Sequence, residues 1–140
     1  MVRQLVYISN LTTTPQQRES VLEAIADVSA RNNPGIGVTG ALFVSGSTVV
    51  QLLEGPAEAV STLYATIETD NRHEKLRILH DELAPRADLL DWAMAVRDVT
   101  RSGETVLRLR DMVDAYEKSF KFQLGDFLEI VRSYLELETG

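Results

Sequence analysis

Up to Leu83, short strand-like runs and helix-like stretches follow one another in a set order, and that order limits the fold more than any other feature of the chain. Leu5, Val6, Tyr7 and Ile8 form an apolar, β-branched and aromatic run within Gln4–Ser9, the pattern of a buried strand. After the polar loop Asn10–Thr13, Thr14 is placed to cap a helix, Pro15 suits its first turn, and Gln17 completes a capping box. Val21, Leu22, Ile25, Val28 and Ser29 then share one helical face, and the Asn-Asn-Pro-Gly within Arg31–Gly37 is expected to end that helix. Val38–Ser45 and Thr48–Leu53 flank the tight turn Ser45-Gly46-Ser47 as a hairpin. Gly55-Pro56 opens a second helix, with Val60, Leu63, Tyr64 and Ile67 on one face, stopping near Asp70-Asn71-Arg72. Leu76–Leu83 and Trp92–Val99 read as weaker strands separated by the polar stretch Ala84–Asp91.

This β-α-β-β-α-β order, with one strand added, predicts an α+β fold: a ferredoxin-like split-βαβ sheet carrying two helices on one face. Its first and third strands are then central neighbours. Residues 102–138 form a different layer, with a helix over Thr105–Tyr116 and a clearer amphipathic one over Asp126–Leu137. Leu124, Phe127, Leu128, Val131, Tyr134 and Leu135 recur there at helical spacing. These helices are expected to cover the sheet's other face, giving a domain over 1–99 and a C-terminal extension over 100–140.

Composition mainly excludes. The chain has no cysteine, which removes disulfides and thiolate chemistry. A net charge of −7 argues against binding a nucleic-acid backbone. No apolar run is long enough to span a bilayer, and the start of the chain leads straight into a strand, so a cytoplasmic protein is expected. His73 and His80 offer no convincing metal-ligand set.

Tyr7 and Gln51 are polar groups in the middle of apolar strands, and each needs a partner if buried. On neighbouring strands they can meet on the helix-facing side. Such a pair is usually a satisfied core contact, but it also offers an oxidisable phenol beside an amide that can reverse its polarity. Asn32-Asn33 could read the edge of a planar heterocycle or simply cap a helix end. Asp70-Asn71-Arg72-His73 reads as a polar helix end, and Trp92 and Met94 as residues sharing one strand face.

Together these pieces resemble the BLUF family of flavin-based blue-light sensors. The matching segments are Leu5–Ser9, Arg31–Pro34, Gly37–Leu42, Gln51–Pro56, Ile67 through Asp70 to Arg72-His73, and Trp92–Met94, in family order across residues 4–99. The resemblance implies non-covalent FAD, with FMN or riboflavin as alternatives, held between the two helices. By position, Tyr7 would donate an electron and proton to the excited flavin, and Gln51 would bridge Tyr7 and the ring. Asn33 would bond near a ring carbonyl with Asn32 beside it. Asp70 and Arg72 would hold the polar edge with His73 near them, and Ile25 and Ser29 would face the ring from the first helix. Recombination would leave Gln51 rotated or tautomerised and the absorption red-shifted, with Trp92 and Met94 exchanging places near it.

Some positions depart from the family pattern. Ser47 and Val49 stand where Gly and Phe are usual, Ala93 where Ser is common, and Thr66 where some relatives carry Arg. The resemblance implies a sensor and no enzyme, signalling to a separate protein or within a homodimer or larger ring. The competing reading is a flavin-free ferredoxin-like interaction module.

Overall fold

In the computed structural model, which describes residues 1–89, 92–119 and 121–139, the chain divides into two compact units, Met1–Asp98 and Val99–Gly140. The first contains β1 (Val2–Leu11), α1 (Pro15–Ile36), β2 (Thr39–Ser45), β3 (Thr48–Gly55), α2 (Ala57–Glu68), β4 (His73–Ala84) and β5 (Ala95–Asp98). The strands form one mixed sheet in the order β4-β1-β3-β2-β5. All neighbours are antiparallel except β2 and β5, which run parallel. This is the expected ferredoxin-like arrangement with β1 and β3 central and a fifth strand added beside β2.

Helix α1 begins as its sequence dictates: the Thr14 hydroxyl accepts from the Gln17 N–H at 3.3 Å, and the Gln17 side chain accepts from the Thr14 N–H at 3.1 Å. It does not end at Asn-Asn-Pro. The helix runs through Asn32, Asn33 and Pro34 and stops at Gly37, whose φ of 71° is left-handed. Proline removes one backbone donor and its preferred φ is helical, so a Pro in the last turn shortens the hydrogen-bond ladder without stopping the helix. Val38 N–H donating to the Asn33 carbonyl at 3.0 Å secures the turn beyond. The residue that terminates α1 is Gly37.

Each helix seats on its own cluster of sheet residues. Val60, Leu63, Tyr64 and Ile67 of α2 pack with Leu5, Leu53 and the adjoining Val38; Leu22 and Ile25 of α1 pack with Leu11, Leu42, Val44 and Val49. Met94 packs against both clusters. Gly40 permits the close approach of β2 to β3, since a Cβ there would fall 2.0 Å from the Leu52 carbonyl oxygen.

Two expectations change. His73 belongs to β4, not to the end of the second helix: it pairs with Leu11 on β1, and α2 has already stopped at Glu68. Trp92 and Met94 precede β5 and are not on a strand, because pairing with β2 begins only at Ala95 opposite Ala41. The connection into β5 starts at the opposite edge of the sheet, after Ala84, and so must cross the ends of β1, β3 and β2. Leu90 and Asp91, the end of the polar stretch read from the sequence, lie outside the described residues.

The second unit holds α3 (Gly103–Ser119) and α4 (Leu124–Thr139), both longer than their periodicity indicates. They pack on each other, with Arg108 and Glu129 paired at 3.2 Å. Leu109, Met112, Phe127 and Val131 are buried.

Candidate functional site

The register that places β1 beside β3 also makes Tyr7 and Gln51 direct cross-strand partners. Leu42 lies opposite Gln51 on its other side. Both polar side chains are almost wholly buried, Tyr7 at 2% and Gln51 at 4% exposure. The Tyr7 hydroxyl donates to Gln51 Oε1, and Gln51 Nε2 donates to the Met94 sulfur at 3.4 Å. Thioether sulfur is a weak acceptor, and a primary amide carries a second N–H and a second lone pair. The network is closed at the phenol and loosely closed at the amide. Burial, with the neighbouring Tyr64 and Asp70, pushes the Tyr7 phenol well above its ordinary pKa, so it keeps its proton.

Tyr7 and Gln51 form the floor of a cavity of about 200 Å³ between the two helices. Leu22, Ile25, Val28 and Ser29 of α1 make one wall, and Leu63, Thr66 and Ile67 of α2 the other. Leu42, Val49 and Met94 complete the floor. Asp70, Arg72 and His73 make the polar end. Arg72 Nε donates to both Asp70 oxygens at 2.9 Å, and the Arg72 N–H donates to Oδ1 at 2.9 Å. Hydrogen bonding from Arg72 holds the Asp70 carboxyl below the usual range against the opposing effect of burial. His73 Nε2 lies 2.7 Å from the Ile67 carbonyl, which can only accept, so Nε2 carries a proton there. Its Nδ1 sits 2.9 Å from the Ser9 hydroxyl, and the ring meets Tyr7 edge-on at 6.0 Å.

Six of the residues expected at a flavin line this cavity: Ile25, Ser29, Gln51, Asp70, Arg72 and His73. Asn32 and Asn33 do not. Asn32 is exposed, and Asn33 is buried with its amide nitrogen on the Ala93 carbonyl at 2.8 Å. Helix α1 continues through both, which directs Asn33 at the segment before β5 instead of the cavity. Met94, not Trp92, contacts Gln51; Trp92 is half-buried, with the Arg97 guanidinium 5.6 Å from its ring centre. Sequence reasoning did not single out Ser9, Leu42 or Tyr64 as site residues, although Tyr64 lies 5.8 Å from Tyr7. Ser9 and Leu42 follow from strand alternation once Tyr7 and Gln51 are known to face the helices.

An apolar slot with an amide-and-phenol floor and an ion-paired end suits a planar heterocycle with one polar edge. The spare N–H and lone pair of Gln51 match the mixed donor and acceptor edge of a flavin. Fold and site together define a flavin-based light sensor. The chain belongs to the BLUF family, sensors of blue-light using FAD, whose model matches residues 2–95.

Among its relatives is a photoactivated adenylate cyclase subunit beta of Euglena longa, 34% identical over 83% of this chain and 13% of the relative. The blue light- and temperature-regulated antirepressor BluF of Escherichia coli is 31% identical over 89% of this chain and 30% of the relative. The chain therefore spans less than a third of either relative. The dark-state structure of the BLUF protein BlrB superposes with a TM-score of 0.70 at 25% identity, over 95% of this chain and 94% of that one.

Proposed function

We propose that this chain is a blue-light switch in which Tyr7 and Gln51 are the reactive pair, and that it signals to a separate protein or to further copies of itself without catalysing a reaction. Bound FAD supplies a ring that absorbs blue light and, once excited, accepts an electron and a proton. Tyr7 serves as donor. Its burial opposes formation of a phenolate, so its proton leaves with the electron, along the hydrogen bond to Gln51 Oε1. Gln51 relays that proton, the electron and proton then return to Tyr7, and the amide is left turned. A turned amide presents Nε2 to the Tyr7 oxygen and Oε1 to the Met94 sulfur, which has no proton to offer. The placement of the Gln51 amide between the Tyr7 hydroxyl and the Met94 sulfur is the observation that carries this reading.

Asp70 and Arg72 hold the polar edge of the ring, His73 braces that end against Ser9 and α2, and Ile25 and Ser29 line its face. Asn33 positions the Ala93 carbonyl. Output runs from Met94 into β5, which it immediately precedes, and from there to the helices that follow. An antirepressor and cyclase subunits among the relatives support a sensor coupled to varied outputs.

The test is the absorption spectrum of the purified protein in the dark and after blue illumination. Flavin bands that shift red and recover in darkness support the switch. A colourless protein that takes up no added FAD overturns it in favour of a bare interaction module.

A further inference from the structure

Glu54 lies three residues beyond Gln51 on β3, so its side chain leaves the opposite face of the sheet and does not reach the cavity. It is nonetheless fully buried. A buried carboxylate is tolerated only where donors satisfy it, and Glu54 has three. Its Oε2 accepts from Gln4 Nε2 at 2.7 Å and from the Asp88 N–H at 2.7 Å, and its Oε1 accepts from the Leu89 N–H at 2.9 Å. Gln4 Nε2 also reaches Asp88 Oδ2 at 2.7 Å. Two of the three donors belong to the backbone of the segment that crosses the sheet end toward β5.

From that anchor a short run of bonds leads to the photoactive floor. The Leu89 carbonyl accepts from the Trp92 N–H at 3.3 Å, and the Trp92 carbonyl accepts from the Gly40 N–H at 3.1 Å. Next, the Ala93 carbonyl accepts from Asn33, and Met94 reaches Gln51. Among the described residues between Ala84 and Ala95 the segment has no sheet pairing of its own, and these contacts hold the part that carries Met94.

We infer that Glu54 is a positioning residue of the photoswitch: with Gln4, it fixes the crossing segment through Asp88 and Leu89 and so holds Met94 against the dark orientation of Gln51. The inference rests on the switch reading above. Glu54→Gln keeps the size of the side chain but turns an N–H₂ toward a backbone donor, leaving one bond of the anchor unmade. With Met94 less firmly seated, the dark orientation of Gln51 is favoured less and the return from the lit state slows.

The experiment is a double-mutant cycle on the FAD-loaded protein, with dark recovery of the red-shifted absorption as the readout. Glu54→Gln is expected to slow recovery about fivefold or more in the otherwise native chain, and by less than about twofold in a Met94→Ala background. An equal change in both backgrounds, or none in either, overturns the inference, because Glu54 would then act on general stability or not at all. If Glu54→Gln does not fold, Gln4→Met removes the side-chain donor while sparing both backbone bonds, and the same cycle applies with a smaller expected factor. Failure of the switch reading itself would show separately, as an unsubstituted protein with no red shift.

Discussion

The two polar regions of the cavity are built on opposite principles. At the α2 end, Asp70 accepts several bonds from Arg72, and both ring nitrogens of His73 have partners. On the floor, Gln51 has one strong bond, to Tyr7, and one weak bond, to sulfur. A saturated charged cluster has a single good arrangement, whereas an amide between a phenol and a thioether has two, separated only by the weak bond that sulfur accepts from Nε2 in one of them. The end of the cavity is therefore suited to holding a ligand and the floor to changing state.

Removing the floor's polar groups should abolish the response. Gln51→Leu and Tyr7→Phe are each expected to eliminate the reversible red shift while leaving FAD bound, as read by absorption spectra before and after illumination. A normal red shift in Gln51→Leu would break the comparison outright, since the two-state element would then lie elsewhere. Leu fits here because Gln51 sits among Leu42, Val49 and other apolar neighbours that accept a side chain of similar volume.

The floor was more legible in the sequence than the rest of the site. A Tyr and a Gln amid apolar strand runs stand out because buried polar groups demand partners, and strand order then makes them neighbours. Asp70 and Arg72 also stand out as a polar cluster, being local in sequence, although their pairing with each other does not. Asn33 was harder to read. Asn-Asn-Pro-Gly signals a break, yet α1 continues to Gly37 because one missing donor in a last turn is tolerated, and that continuation aims Asn33 at Ala93. The segment before β5 was misread for a related reason: Trp92–Val99 has strand-like composition, but the pairing comes from β2 and begins only at Ala95. Long-range anchors such as Glu54 with Asp88 and Leu89 leave no local pattern at all.

Arg72→Ala should weaken FAD binding by roughly tenfold to a hundredfold, the scale of one lost charge-assisted bond, with the red shift of the bound fraction preserved. Titration of the apoprotein with FAD, followed by the light response at saturation, measures both. A lost red shift at full occupancy would mean that the holding end also switches. Asn33→Ala sharpens the contrast from the other side. The residue is buried and bonded to the Ala93 carbonyl but does not line the cavity, so FAD affinity should stay within about twofold while stability falls by about 1 kcal/mol. On a domain of this size that loss lowers Tm by roughly 4–8 °C. A large loss of FAD affinity in Asn33→Ala would instead place its amide at the ligand.

The smallest effect expected is one of pH, and it too belongs to the holding end. Asp70 is depressed by Arg72, so its carboxyl releases its proton more readily in the folded chain than in the unfolded one. A depressed acid contributes stability that is fully present above its unfolded pKa and is lost as pH falls through the folded value. For Asp70 that window begins near the ordinary aspartate value of 3.8 and extends below it. Because the pair is partly exposed, solvent and salt reduce its contribution. Comparing thermal unfolding of the native chain and Asp70→Asn from neutral pH into the acid range should give two curves that converge as pH falls, the native chain losing its advantage. Tyr7 is raised far above neutrality and Gln51 does not titrate, so the amplitude of the red shift should stay flat across the same range while the protein remains folded. A red-shift amplitude that instead follows the acid transition in the native chain and not in Asp70→Asn would join the two ends into one coupled network.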